Sequence, residues 1–165
     1  MGSLAVLWLA LPAVRPAAAA MPPPSHWVKS GPRAHRADVL VIASFTKAAG
    51  GFNFDGFAKG RLRITVPAGW AVHVDFRNAG PLPHSLMVVP WSTKATATRP
   101  KPAFGGAETP LPYRGTLRGG RARFAFTARK PGQYRLICAV PGHDAAGMWD
   151  TLIVSRSATR ATATA

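Results

Sequence analysis

The chain has 165 residues, about one domain's worth, and its 47% hydrophobic and 16% charged residues exclude a disordered polypeptide. Its 16 Gly and 16 Pro fall between short apolar runs, which argues for many turns and an all-β domain rather than long helices. The formal charge of +15 raises nucleic-acid binding, but the arginines sit singly and neither zinc-finger spacing nor an aromatic RNA-binding signature is present. No nucleic-acid partner is therefore expected; the basic surface keeps the protein soluble or attracts an acidic partner.

Residues 4–13 form an apolar stretch too short to span a bilayer, and residues 17–20 are all alanine. Residues 1–20 thus read as a signal peptide cleaved near 18–20, although no Lys or Arg precedes Arg15 to supply the usual positive start. The expectation is an exported protein, periplasmic or otherwise extracytoplasmic, touching a membrane only if this segment is retained as an N-terminal anchor. Residues 21–37 read as a Pro-rich irregular arm, 38–155 as the folded domain, and 156–165 (alternating Ala and Thr) as a disordered tail.

Within the domain, residues 38–45 are a β-branched apolar run. Residues 61–66 alternate, with Leu62, Ile64 and Val66 on one face, and a turn at 67–69 leads to Trp70, Val72, Val74 and Phe76 on one face of the next strand. Further strands are expected at 85–89, 121–127, 133–138 and 149–154. A period of two repeated over seven short segments marks a two-sheet sandwich or barrel. The stretch 48–60 is rich in Gly and Phe; 90–120 is Pro-rich and polar, read as a surface excursion with one short strand around 113–117.

One cysteine is present, so no internal disulfide can form, and an exported free thiol is a liability unless something holds it. Taken alone, a strand-end Cys is most simply a buried small hydrophobe, Met148 core filling, His143 a polar turn residue and His84 any half-buried histidine. Their joint spacing reverses this. Four residues separate Cys138 from His143 and four more separate His143 from Met148, around a Pro-Gly turn, while His84 follows a proline upstream. A thiolate and two imidazoles in a plane, with a weak thioether above, suit both oxidation states of one copper ion. His26, His35 and His73 form no His-x-His pair for a multicopper cluster, and a single Cys cannot bridge two metals.

With the loop from Cys138 to Trp149, the run Pro83-His84-Ser85-Leu86, and the stretches Phe52-Asn53-Phe54-Asp55-Gly56 and Val66-Pro67-Ala68-Gly69-Trp70, the chain resembles the cupredoxins, most closely the sulfocyanin-like group. The resemblance implies a Greek-key β-sandwich of about seven to eight strands holding one mononuclear blue copper. It also implies a one-electron carrier rather than an enzyme, working between respiratory redox proteins outside the cytoplasmic membrane. Its partners would be a cytochrome or a terminal oxidase, docking transiently over the apolar loop around His143. Ser85 stands where many cupredoxins carry Asn; rusticyanin-like, high-potential members share it, which implies a high potential here. The alternative is extracytoplasmic copper storage or delivery, for which solvent-open Met- and His-rich ligands are usual.

Overall fold

The computed structural model describes residues 20–165, so the segment read as an export signal lies outside the described residues apart from Ala20. Nine strands form two sheets, with no α-helix among the described residues. One sheet has the order β1 (Val28–Gly31), β2 (Arg36–Ala43), β4 (Ala71–Asn78), β6 (Arg121–Thr127). The other has the order β5 (Met87–Pro90), β7 (Gly132–Ile137), β8 (Trp149–Ser155), β3 (Arg63–Pro67), β9 (Thr162–Thr164). Parallel pairs β2/β4 and β3/β8 sit among antiparallel neighbours, the Greek-key sandwich expected from the sequence.

The alternation that predicted the strands is the alternation that fills the core. Ile64 and Val66 of β3, Val72, Val74 and Phe76 of β4, and Leu152 and Val154 of β8 all point between the sheets and are buried. Each such side chain contributes about 1.5–3 kcal/mol on burial. Tyr134, Leu136 and Cys138 share that face, whereas Ile137 joins Met87, Val89 and Ala139 in a second, smaller cluster on the other side of the sheet.

Three expectations need correction. The arm at 21–37 is not irregular: it carries β1, which pairs with β2, and buries Trp27. Nor is the tail at 156–165 disordered: β9 pairs with β3, and the Ala161 amide donates to Ser30 Oγ at 2.9 Å. In both cases an open sheet edge recruits short segments whose own apolar content is too small to announce a strand. The third is 90–120. No strand forms at 113–117 beyond a single bridge from Thr116 to His84, because the chain turns there, the amides of Arg114 and Gly115 both donating to the Leu111 carbonyl and Gly115 standing at φ +79°. Even so, the segment lies along the domain rather than away from it, burying Ala107 and Thr109 and bonding Val88 and Leu86 through the amides of Ala103 and Thr109.

The turn at 67–70, Ala128 and Ser155 meet at one end of the sandwich through amide–carbonyl bonds of 2.8 Å. The opposite end collects the close of β4, the start of β5, the close of β7 and the start of β8. It carries the metal site.

Candidate metal centre

His84 follows Pro83 and is fixed by a two-way backbone bridge to Thr116, its amide donating at 3.1 Å and its carbonyl accepting at 2.6 Å. The Asn78 amide group reinforces this by donating to the carbonyls of both Leu82 and Thr116. The ring is buried. Ser44 Oγ donates to the Gly51 carbonyl at 2.6 Å, so toward His84 Nε2, 2.9 Å away, it can only accept. That places the ring proton on Nε2 and leaves the Nδ1 lone pair free for a metal. The fit leaves no spare room: a Cβ on Gly80 would come within 2.5 Å of Ser44 Cβ and 3.4 Å of Nε2.

The other ligand candidates come from one loop. Cys138 leaves β7 with its amide donating to the Met148 carbonyl at 3.1 Å, and Met148 returns its amide to the His143 carbonyl at 3.0 Å. Gly142 and Gly147, at φ +85° and +98°, supply turns that other residues rarely adopt. Asp144, the one charged residue in the middle of the loop, is buried in a two-pronged pair with Arg135, at 2.5 and 3.1 Å. Arg135 is buried too, lies 4.5 Å over the Trp149 ring and donates to the Thr93 carbonyl. This cation belongs to the site's scaffold, not to the solvated surface.

Ser85 joins the two halves. Its amide donates to Cys138 Sγ at 3.3 Å, and its hydroxyl oxygen accepts the Ala139 amide at 2.9 Å, leaving its proton free to face Sγ at 3.8 Å. Phe52 packs edge-on against both imidazoles, with ring centres 4.9 Å from His143 and 6.4 Å from His84.

His84 Nδ1, His143 Nδ1 and Cys138 Sγ form a triangle with sides of 3.2, 3.3 and 3.8 Å. A point in its plane lies about 2.0 Å from all three atoms, close to the length of a first-row metal–imidazole bond and just inside that of a metal–thiolate bond. Among the described residues these are the one cluster of three His, Cys or acidic side chains of metal-binding geometry. Met148, the fourth residue of the expected set, is fully buried and bonded through its backbone to Cys138 and His143. His26, His35 and His73 stay outside.

The electrostatics favour a metal over protons. Burial and the neighbouring His143 push His84 down to about 4, and burial lowers His143 as well, so near neutral pH both rings are uncharged ligands. Burial raises the Cys138 thiol, only partly offset by the amides of Ser85 and Val140. A thiolate in this setting needs a cation.

Sequence reasoning did not find Ser44, Asn78, the bridge at Thr116 or the Arg135–Asp144 pair. Ser44 and Thr116 reach His84 across long sequence separations, the Arg135–Asp144 pair joins a strand to a loop, and a serine or an arginine on a strand carries no local mark of such a role. Phe52 stood in a stretch singled out for its resemblance, without a role.

Residues 33–164 match the family described as the Sulfocyanin (SoxE) domain. Sulfocyanin from Sulfolobus acidocaldarius is 32% identical over 128 residues, covering 73% of this chain; the chain spans 64% of that protein's length. Dithionite-reduced auracyanin from the photosynthetic bacterium Roseiflexus castenholzii superposes with a TM-score of 0.53 at 24% identity, over 72% of this chain and 96% of that one. A rusticyanin variant does so at 0.52 and 18%, over 73% and 78%. At these identities the two structures speak for the fold, a cupredoxin fold. The family match, extending over nearly all the described residues, and the ligand triangle lead to one assignment: the chain belongs to the sulfocyanin family of blue-copper cupredoxins.

Proposed function

We propose that the protein is a one-electron carrier holding a single copper through His84 Nδ1, Cys138 Sγ, His143 Nδ1 and, more weakly, Met148, and that it works between redox proteins outside the cytoplasmic membrane. The observation that carries this reading is the ligand triangle, already the size a metal requires and held from behind on every side. Copper in such a set supplies reversible one-electron chemistry.

The chain's own residues do the rest. Ser44 and the His84–Thr116 bridge hold the His84 ring in one orientation and tautomer. The hydrogen bonds within the loop and the Arg135–Asp144 pair fix Cys138, His143 and Met148 relative to one another, so little needs to move when charge changes. Phe52, Cys138 and Met148 keep water from the inner side, and the Ser85 amide draws charge from the sulfur. Half-buried His143 is the ligand nearest solvent, in a loop whose Pro141, Gly142, Ala145 and Ala146 are exposed and largely apolar, suiting brief contact with a partner. Extracytoplasmic placement rests on the family and on the apolar segment at 1–20. A storage or delivery role would call for an open site, and this one is closed.

Addition of cupric ion should produce an intense thiolate-to-copper charge-transfer band and a reversible one-electron wave, and Cys138→Ser should abolish both. A colourless complex would refute the reading.

A further inference from the structure

Among the described residues, the copper end of the molecule carries exposed cations and no exposed carboxylate. Six acidic residues offset 21 Lys and Arg in the whole chain. Asp55, Asp144 and Asp150 are buried. Asp38 and Asp75 lie on the outer face of the β1-β2-β4-β6 sheet, paired with Arg36 and with Arg77 and Arg121. Glu108 sits opposite Met87, at the start of β5. None of the six is an exposed carboxylate in the loops around His143.

Those loops do carry exposed cations. Lys59 runs beneath the ligand loop, its chain 2.9 Å from where a Gly147 Cβ would stand and its amide bonded to the Gly147 carbonyl. Lys47 belongs to the loop that carries Ser44 and Gly51. Arg114 and Arg118 flank Gly115 and Thr116, whose backbone is pressed against His84 so closely that a Gly115 Cβ would lie 2.9 Å from both the His84 amide and Val140. On the same segment Leu111 and Leu117 are 66% and 70% exposed, and Leu82, tied to it through Asn78, is 46% exposed. Exposed leucines on the two segments bridged at His84 and Thr116 thus stand among exposed cations.

We infer that this end docks a redox protein whose own docking face is ringed by carboxylates, with Lys47, Lys59, Arg114 and Arg118 steering the approach and Leu82, Leu111 and Leu117 making the contact. The inference rests on the carrier reading and supplies the partner's chemistry. Charge of one sign around an apolar contact raises encounter rates and leaves release fast. Asp144 is neutralised by Arg135 of β7, and Glu108, the one other carboxylate placed at this end, is half-buried, so no fully exposed carboxylate stands beside the contact.

The test uses the copper-loaded full chain and two small one-electron reductants of opposite charge, anionic ferrous–EDTA and cationic hexaammineruthenium(II). Each gives one electron to the cupric protein and is itself oxidised by one. At low ionic strength the wild type should react faster with the anion than the R114E/R118E variant does, by about ten-fold or more, and the gap should close in salt. The R129E/R156E variant changes the net charge equally at the far end of the sandwich and should leave the anion rate within about two-fold of wild type. The rate with the cation should move oppositely in R114E/R118E. Equal loss in both variants would mean that net charge alone acts, and no loss in either would mean that the rim does not steer; both overturn the inference. Intact blue absorption and an unchanged potential in the same samples would show that the carrier reading stands even so. As a second readout, a hexaglutamate peptide added to the cuprous protein should shift amide resonances of Leu82, Leu111 and Leu117. Shifts confined to the β2, β4 and β6 face would instead place acidic docking there.

Discussion

The two halves of the metal site are built on different principles. Cys138, His143 and Met148 come from one stretch of chain whose amides and carbonyls bond to each other, a loop that is nearly self-supporting. His84 comes alone and is held by other segments: Ser44 at the ring and Thr116 beside the backbone from far along the chain, and Asn78, six residues before it, bonding Leu82 and Thr116. A local loop fixes its ligands by spacing, whereas a lone ligand has to be fixed by its neighbours. The two halves should therefore fail differently when broken.

The largest effect is expected in the self-supporting half. Arg135→Ala leaves Asp144 buried without its partner, and breaking a buried pair from one side costs about 3–5 kcal/mol. Urea unfolding of the metal-free protein should show that loss. The milder Asp144→Asn, which keeps one hydrogen bond and removes the charge, should lose less. Equal, small losses from both would mean that the loop's backbone bonds suffice without the pair.

Gly115→Ala strikes where the halves touch. The added methyl meets backbone at His84 rather than a flexible side chain, and the position has φ +79°, so strain of about 1–3 kcal/mol is expected. Because the displaced atom belongs to His84, the blue band should shift as well as the stability. A destabilised variant with an unaltered spectrum would show that Thr116 supports the fold but not the ligand.

Ser44→Ala removes the acceptor for His84 Nε2–H and leaves that proton buried and unpaired, a loss of about 1–3 kcal/mol. It also makes the imidazole a weaker donor, so cupric affinity should fall and the reduction potential rise. A purely structural role for Ser44 would leave the potential unmoved.

This contrast also explains what was legible beforehand. The loop announced itself because its ligands recur at fixed intervals with Pro and Gly between them, and the sandwich announced itself because alternate residues of β3, β4 and β7 face the core. Ser44, Asn78 and Arg135 are ordinary strand and turn residues whose partners lie 40, 38 and 9 positions away. β1 and β9 escaped notice for a related reason: an edge strand's affinity resides in the neighbour's open backbone. Only the docked arm and tail reveal it.

A smaller effect crosses both halves. Asp55, on the Ser44 side, bonds the Ile42 amide, and Asp150, two residues past Met148, bonds the Leu62 amide; each leaves its second oxygen buried and unpartnered. Burial raises Asp55 well above the usual carboxylate range and Asp150 to about 8. With the folded value raised, the folded state holds the proton more tightly than the unfolded chain. Stability from these groups is therefore fullest below the ordinary carboxyl value near 3.8 and falls as pH climbs toward about 8. Asp150→Asn should flatten that decline in urea titrations at several pH values. A slope as steep as wild type would mean that Asp150 is ionised in the fold.

Ser85→Asn perturbs least and discriminates most finely, since Ser85, next to His84, bonds Cys138 through its amide and Ala139 through its hydroxyl. Its backbone donation to Cys138 Sγ survives the exchange, so unfolding should change little. The side chain's role is different: the serine hydroxyl stands 3.8 Å from the sulfur, a weak donor, while its oxygen is occupied by the Ala139 amide. An asparagine can keep the bond to Ala139 through its carbonyl and place an N–H nearer the thiolate, tightening the link between the ligand-bearing segments. If the short serine is what sets a high potential in this chain, redox titration of Ser85→Asn should give a lower one, with the charge-transfer band retained. An unchanged potential would locate the tuning elsewhere, in the Ser44–His84 bond or the burial of Met148, and would make the lone histidine rather than the loop the half of the site that sets the driving force.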